Sequence, residues 1–103
     1  MHLIQILLPL YDNARRKFPH REYAQVANDL AERFGGITTY RRSPAAGLWK
    51  ETPSMSTIHD DIVIYEVMTE TVDTAWWQEY RKALSIRFRQ GLLIVRASEI
   101  TIL

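Results

Sequence analysis

Apolar residues run almost unbroken from Leu3 to Leu8, interrupted only by Gln5. A short run of this kind suits a strand covered on both faces, and so a central one. Pro9 brings no N–H to a ladder, so the strand is expected to end or bulge there. Tyr11, Asp12 and Asn13 supply the turn that follows. The period then changes. Tyr23, Val26, Ala27, Leu30, Ala31 and Phe34 fall at i, i+3, i+4, i+7, i+8 and i+11, one apolar stripe of an amphipathic helix. Arg21, Glu22, Gln25, Asn28, Asp29 and Glu32 make its polar face. Pro19 is placed to open this helix, and Gly35 to end it as a left-handed residue just past its last turn. Gly36 then frees the chain to reverse.

The β-branched and aromatic residues from Ile37 to Arg42 predict a second strand. A long connection follows, Ser43 to His59, punctuated by Pro44, Gly47 and Pro53. Connections of this length are often functional or mobile. Ile62 to Met68 is nearly all apolar and predicts a second central strand. Asp73 is spaced to cap a second helix, with Val72 and Trp77 as a hydrophobic staple across its start. Trp77, Tyr80, Leu84 and Phe88 form the core stripe of that helix, widened by Trp76 and Ala83. Arg87 and Arg89 suit the negative end of its dipole. Gly91 is the expected stop. Leu92 to Ala97 predicts a fourth strand, and Glu99 to Leu103 a further short strand or edge.

The element order is β-α-β-β-α-β. Right-handed crossovers then lead to an α+β, ferredoxin-like sheet of four antiparallel strands in the order 4-1-3-2, with both helices on one face. That order puts the two most apolar strands at the centre. Residues 1–103 are read as a single domain, long enough to bury about two-thirds of its unfolded surface.

Composition narrows the function. The chain is 47% hydrophobic and 24% charged with a net charge of +1, so no global field draws it to nucleic acid or an anionic membrane. There is no cysteine, which removes disulfides, thiolate nucleophiles and cysteine metal sites. No apolar run reaches the roughly 18 residues a membrane helix needs. The apolar start has no basic leader or cleavage site, so it is read as a strand of a cytoplasmic protein. No spacing fits a phosphate loop, a dinucleotide fingerprint or a serine elbow, and no cofactor is expected. His2, His20 and His59 lack metal-ligand spacing, so no metal is expected. The basic run from Arg15 to Arg21 reads as a solvated loop and first helical turn in preference to a phosphate site. DIVIYEVM lacks the basic, glycine-rich pattern of an RNA-binding strand.

Helices on one face leave the other face of the sheet open. Alternation puts Gln5 there with Leu3 and Leu7, Glu66 with Ile62, Ile64 and Met68, and Arg96 with Leu92 and Ile94. Strand two offers either Thr38, Tyr40 and Arg42 or Ile37, Thr39 and Arg41. Such an apolar face needs a cover, either the long connection folding back or a second copy of the chain packed sheet on sheet, and the second copy is the preferred reading. In strand order Gln5 lies between Glu66 and Arg96. Structurally, the three satisfy one another. Functionally, Arg96 would hold a ligand carboxylate and Glu66 act as base. Trp49 would be an aromatic wall or a loop anchor. His59, beside Asp60 and Asp61, is the second candidate base or a polar lead-in to the strand. The candidate ligand-binding residues are therefore Tyr40, Trp49, Glu66 and Arg96, and the candidate catalytic residues Glu66 and His59.

The segments FGGITTY (34–40) and GLW (47–49), with Tyr80 and the later Phe88-x-Gln90, resemble a group of small bacterial proteins of unknown function. The resemblance implies a ferredoxin-like domain of the dimeric α/β-barrel type. That type includes cofactor-free monooxygenases, isomerases, dye- or haem-handling enzymes and stress proteins, and it carries no shared catalytic residue. Two functions fit the whole. One is a homodimer with a cavity for a small organic acid on the open sheet face, with or without cofactor-free catalysis. The other is a regulatory or interaction module whose sheet face only dimerises.

Overall fold

The computed structural model describes residues 1–35 and 62–103, and the backbone of residues 38–42. The protein is α+β. Its elements run β1 (His2–Pro9), α1 (His20–Phe34), β2 (Thr38–Arg42), β3 (Ile62–Thr69), α2 (Thr74–Arg87) and β4 (Ile94–Glu99). The strands pair antiparallel in the order β2-β3-β1-β4. β1 is flanked by β3 along its whole length, from His2↔Thr69 to Pro9↔Ile62. Its ladder to β4 stops at Leu7↔Ile94. As expected, the strand ends at Pro9. It sits at the end where only one neighbour remains, so its missing N–H costs the sheet little.

Alternation along β1 sorts its residues cleanly. Ile4, Ile6 and Leu8 are buried, while Leu3, Gln5 and Leu7 between them are only half-buried. The first set lies in register with Val67, Tyr65 and Val63 of β3, all buried as well. Val26 and Leu30 of α1, Trp77 and Leu84 of α2, and Phe88 just past its end close over this face in one continuous core. At ordinary core values, truncating Leu84 to alanine would cost about 2–5 kcal/mol. Two tyrosines stitch α1 to the sheet. The Tyr23 hydroxyl donates to the Pro9 carbonyl at 2.7 Å, and the Tyr65 hydroxyl donates to the Tyr23 carbonyl at 3.0 Å. A buried hydroxyl needs such a partner, and here the partner is a main-chain oxygen of the neighbouring layer.

Both helix stripes are narrower than their spacing suggests. Ala31 and Ala83 are exposed, while Tyr80 and Trp76 pack at the rim of the core. α1 ends as expected, at Gly35 with φ 79° and its N–H on the Ala31 carbonyl. Asp73 caps α2 as expected, its carboxylate accepting the Trp76 N–H at 3.1 Å. The end of α2 differs. The stop is Arg89, at φ 49°, and not Gly91. Its N–H reaches the Ile86 carbonyl, and the next N–H, of Gln90, reaches the Ser85 carbonyl. This is the paired hydrogen-bond pattern of a Schellman end, with arginine where glycine is usual. The arginine side chain offsets part of the backbone cost. It lies 5.3 Å from the Phe18 ring centroid and 3.6 Å from the Asp12 carboxylate. β4 accordingly starts later than the apolar run at Leu92, and Leu92 itself is exposed. Beyond Glu99 there is no further strand. One bond, from the Ile100 N–H to the Met1 carbonyl, ties the end down. No helix among the described residues is long and apolar enough to cross a membrane.

Arg15 is the other non-glycine residue with positive φ, at 62°, in an exposed turn. The turn is organised by Asp12, whose carboxylate accepts the Ala14 and Arg16 N–H groups at 2.8 and 2.9 Å. A left-handed L-residue is costly, and glycine removes that cost at some loss of chain entropy. Arg15→Gly is therefore expected to stabilise the protein by about 0.5–1 kcal/mol, read as a higher urea midpoint at unchanged slope. The Arg16 N–H chiefly, then the Ala14 N–H and the Arg89 and Arg16 charges, hold the Asp12 carboxyl below its ordinary 3.8 against the opposing effect of desolvation. A lowered folded value means the contribution is whole above the unfolded pKa and lost as pH falls through the folded one. Asp12→Asn should therefore lose less stability than the parent between pH 5 and pH 2 in urea titrations.

Candidate functional site

The second face of the sheet carries the residues that alternation leaves behind. In one row across three strands, Gln5 lies directly opposite Glu66 on β3 and Arg96 on β4. β3 and β4 flank β1, so the backbones of Glu66 and Arg96 stand about 9–10 Å apart, with Gln5 between them. Gln5 bridges them. Its amide nitrogen donates to Glu66 Oε2 at 2.6 Å, and its amide oxygen accepts from Arg96 Nε at 2.8 Å. A carboxylate only accepts and a guanidinium only donates, so the chain of bonds fixes which way the amide points. Glu66 is half-buried and Arg96 exposed. Arg96 gives its Nε to Gln5, and among the described residues its two terminal nitrogens have no partner.

The rows on either side are apolar. Towards one end lie Leu3, Met68 and Ser98. Towards the other lie Leu7, Ile64 and Ile94. Met68 is 56% exposed and Ile94 45%, whereas Ile64 is buried although it stands apart from the core beneath the helices. The register of β2 puts Thr38 opposite Glu66, Tyr40 opposite Ile64 and Arg42 opposite Ile62. Of the two alternatives for strand two, the Thr38, Tyr40, Arg42 set therefore shares the row positions of this face. The Tyr40 side chain lies outside the described residues, and so do Trp49 and His59 entirely. Of the candidates named from the sequence, the structure thus brings together Glu66 and Arg96, through Gln5.

A second polar cluster, on the helical side, was not anticipated. Asp29 of α1 accepts from the Tyr80 hydroxyl at 3.0 Å and from Arg87 Nη1 at 3.3 Å on one oxygen, and from Gln25 Nε2 at 2.8 Å on the other. Arg87 also reaches the Glu22 carbonyl at 3.3 Å and its carboxylate at 3.7 Å. Tyr80 stacks on Trp76, and Arg33 lies 4.1 Å from the centroid of the Trp76 ring. Asp29, Glu32, Arg33, Trp76 and Tyr80 line a shallow cleft of about 350 Å³. Its aromatic faces are already occupied, by a ring on one side of the pair and a guanidinium on the other. Asp29 is engaged by Gln25, Tyr80 and Arg87, and Arg33 lies 3.5 Å from the Asp73 carboxylate, while the exposed Glu32 has no partner among the described residues. The cluster reads as a latch between helices. The signal for it lay in Asp29 on the polar face of α1 and Arg87 at the end of α2, but the sequence does not pair two helices. Among the described residues, no group of three or more histidine and acidic side chains could hold a metal ion.

Two perturbations separate the roles of these clusters. Burial first, and then the Asp29 carboxylate, push the Tyr80 phenol above the ordinary tyrosine value of 10.0. A raised folded value gives stability that is whole below the unfolded pKa and lost as pH rises beyond it. The parent should therefore lose stability above pH 10, and Tyr80→Phe should lose less, as read by denaturant melts along the pH series. On the sheet, Gln5→Leu removes both bridging bonds and leaves a half-buried carboxylate without its donor. The expected cost is about 1–2 kcal/mol in the same assay.

No protein-family model matches the chain, and no curated protein matches it. The fold does have solved counterparts. A phage SAM lyase in complex with S-methyl-5′-thioadenosine superposes with a TM-score of 0.65 at 16% identity, covering 95% of this chain and 80% of that one. A phage SAM lyase in its apo state gives 0.61 at 12% identity, over 94% and 78%. At these identities the chain shares the small α+β fold of those structures.

Proposed function

We propose that this is a ferredoxin-like cytoplasmic protein that binds a small organic acid on its open sheet face, between two copies of the chain. Arg96 carries the reading. Its Nε is fixed by Gln5, which aims the guanidinium while leaving both terminal nitrogens for a carboxylate. A planar fork pre-oriented in this way loses little freedom on binding. The flanking leucine, isoleucine and methionine positions suit an apolar ligand body. Glu66, held by the Gln5 amide, is the candidate base. Tyr40 and Trp49 are the candidate aromatic wall, with His59 as a second candidate base. Without a cofactor, chemistry here would be proton transfer beside a bound carboxylate. The likeness to phage SAM lyase lends support to a small-molecule site on this architecture. S-adenosylmethionine, which carries a carboxylate, is the first ligand to try.

The other reading is a sheet face that only dimerises, as a regulatory or interaction module. The observation favouring it is that Gln5 satisfies Glu66 internally, with no ligand required. Titration calorimetry separates the two. With S-adenosylmethionine and with simple monocarboxylates, the parent is expected to bind at least one. Arg96→Met should weaken that binding at least tenfold at unchanged circular dichroism. Binding that Arg96→Met leaves intact, or no binding of any of them, overturns the ligand reading.

A further inference from the structure

Charge is unevenly spread over this protein. Leu10 and Phe18 are buried, and the chain between them reverses tightly. The Phe18 N–H reaches the Leu10 carbonyl, and the Asp12 N–H reaches the Arg16 carbonyl. Arg15, Arg16 and Lys17 lie in this reversal, all exposed. Arg21 follows, exposed, in the first turn of α1. Arg89 joins them from just past the end of α2, 3.6 Å from the Asp12 carboxylate. Two carboxylates, Asp12 and Glu22, stand among these five cations. Asp12 is taken by the turn and by Arg89, and Glu22 lies between Arg21 and Arg87. Arg15, Arg16 and Lys17 make no side-chain hydrogen bond or ion pair among the described residues. The net charge of +1 conceals this patch, because the remainder of the chain is net negative.

Backbone strain singles out the same end of the molecule. Among the described residues, Arg15 and Arg89 are the two non-glycine residues with positive φ. Each holds a conformation that glycine adopts at less cost. Both carry a guanidinium instead, and strain kept in this way gathers at functional positions. Apolar side chains border the charges. The β1–β4 register, followed past Leu7↔Ile94, sets Leu92 level with Pro9 and Arg89 level with Asp12. The Arg89–Asp12 ion pair shows that the two chains stay side by side there. Leu92 is 77% exposed and lies beyond the last paired row of the sheet. Tyr11, also exposed, is bridged to Lys17.

We infer that this end of the molecule docks on an anionic phospholipid surface. Arg15, Arg16, Lys17, Arg21 and Arg89 meet the headgroup phosphates. Leu92 enters the boundary of the acyl chains, and Tyr11 sits at the interface. The attraction is local, so a net charge near zero does not oppose it. A nucleic acid would answer the charge as well. Beneath its phosphates, however, a bilayer offers an apolar layer to Leu92, and a nucleic-acid backbone does not. The contact uses neither Arg96 nor Glu66, and it needs neither a small ligand nor a second copy of the chain.

Vesicle co-sedimentation of the full chain tests this, with phosphatidylcholine alone and with phosphatidylcholine containing about one-third phosphatidylglycerol. The parent is expected to partition onto the mixed vesicles about tenfold better than onto the neutral ones, and less so as salt is raised. Arg15→Gly combined with Lys17→Gln should weaken that partition about tenfold. Arg15→Gly is expected to stabilise the fold, so a urea midpoint at or above the parent's separates lost binding from lost folding. Leu92→Ser should weaken binding about threefold with its salt dependence kept. Equal partition onto the two kinds of vesicle, or none onto either, overturns the inference. Vesicle binding that the paired charge variant leaves intact overturns it too. Binding that Leu92→Ser leaves unchanged overturns the entry of the apolar rim into the bilayer. A chain that binds a DNA duplex but not the mixed vesicles assigns the basic end to nucleic acid and overturns the lipid contact.

Discussion

Everything in this protein depends on β1 having to satisfy two faces at once. As a central strand it is flanked by β3 and β4, so its backbone is consumed by the sheet and only its side chains remain to choose surroundings. Ile4, Ile6 and Leu8 go under the helices, and Leu3, Gln5 and Leu7 go to the other side. A slip of one residue would exchange these sets and bury Gln5 in the core without its partners. The register that protects the core is therefore the same register that places Gln5 between Glu66 and Arg96. Core and candidate site are two consequences of one alternation.

The two polar clusters differ in what they leave over. Asp29 is engaged by Gln25, Tyr80 and Arg87 at once, and Arg87 divides itself between Asp29 and Glu22. That network closes on itself and holds α1 against α2. The row on the sheet does not close. Its positive end remains exposed, with a guanidinium fixed at one nitrogen, and its flanks are apolar. A closed network spends its hydrogen bonds on rigidity. An open one, set on a central strand, leaves a guanidinium positioned by Gln5 and exposed at the surface.

Much of this was legible before any coordinates. Short apolar or β-branched runs located the strands and a period of 3.6 the helices, and the nearly unbroken apolarity of the first and third strands matched their central places. Gly35 and Asp73 acted as their chemistry predicted, because a cap is a local matter of one backbone angle or one carboxylate. Gly91 was misleading for a related reason. The helix stopped two residues earlier, at Arg89, where contacts to Phe18 and Asp12 offset a left-handed arginine. Those contacts come from a turn some 70 positions away along the chain, and no local rule sees them. Pro9 by contrast ended its strand as expected, at a position where β4 no longer pairs with β1.

The sequence by itself determined the element order, the cores of the helix stripes and the open-face positions of the first and third strands, since these follow from periodicity and local chemistry. It could name Glu66, Gln5 and Arg96 as neighbours only by assuming a sheet order. The tertiary structure decided that Gln5 spans the two charges, that the Thr38, Tyr40 and Arg42 register positions share the row, and that Asp29, Tyr80 and Arg87 meet. The physical reason is that a hydrogen bond depends on the separation and aim of two atoms to within a fraction of an ångström. Periodicity specifies a face but not that distance, and only the packing of helices on a registered sheet supplies it.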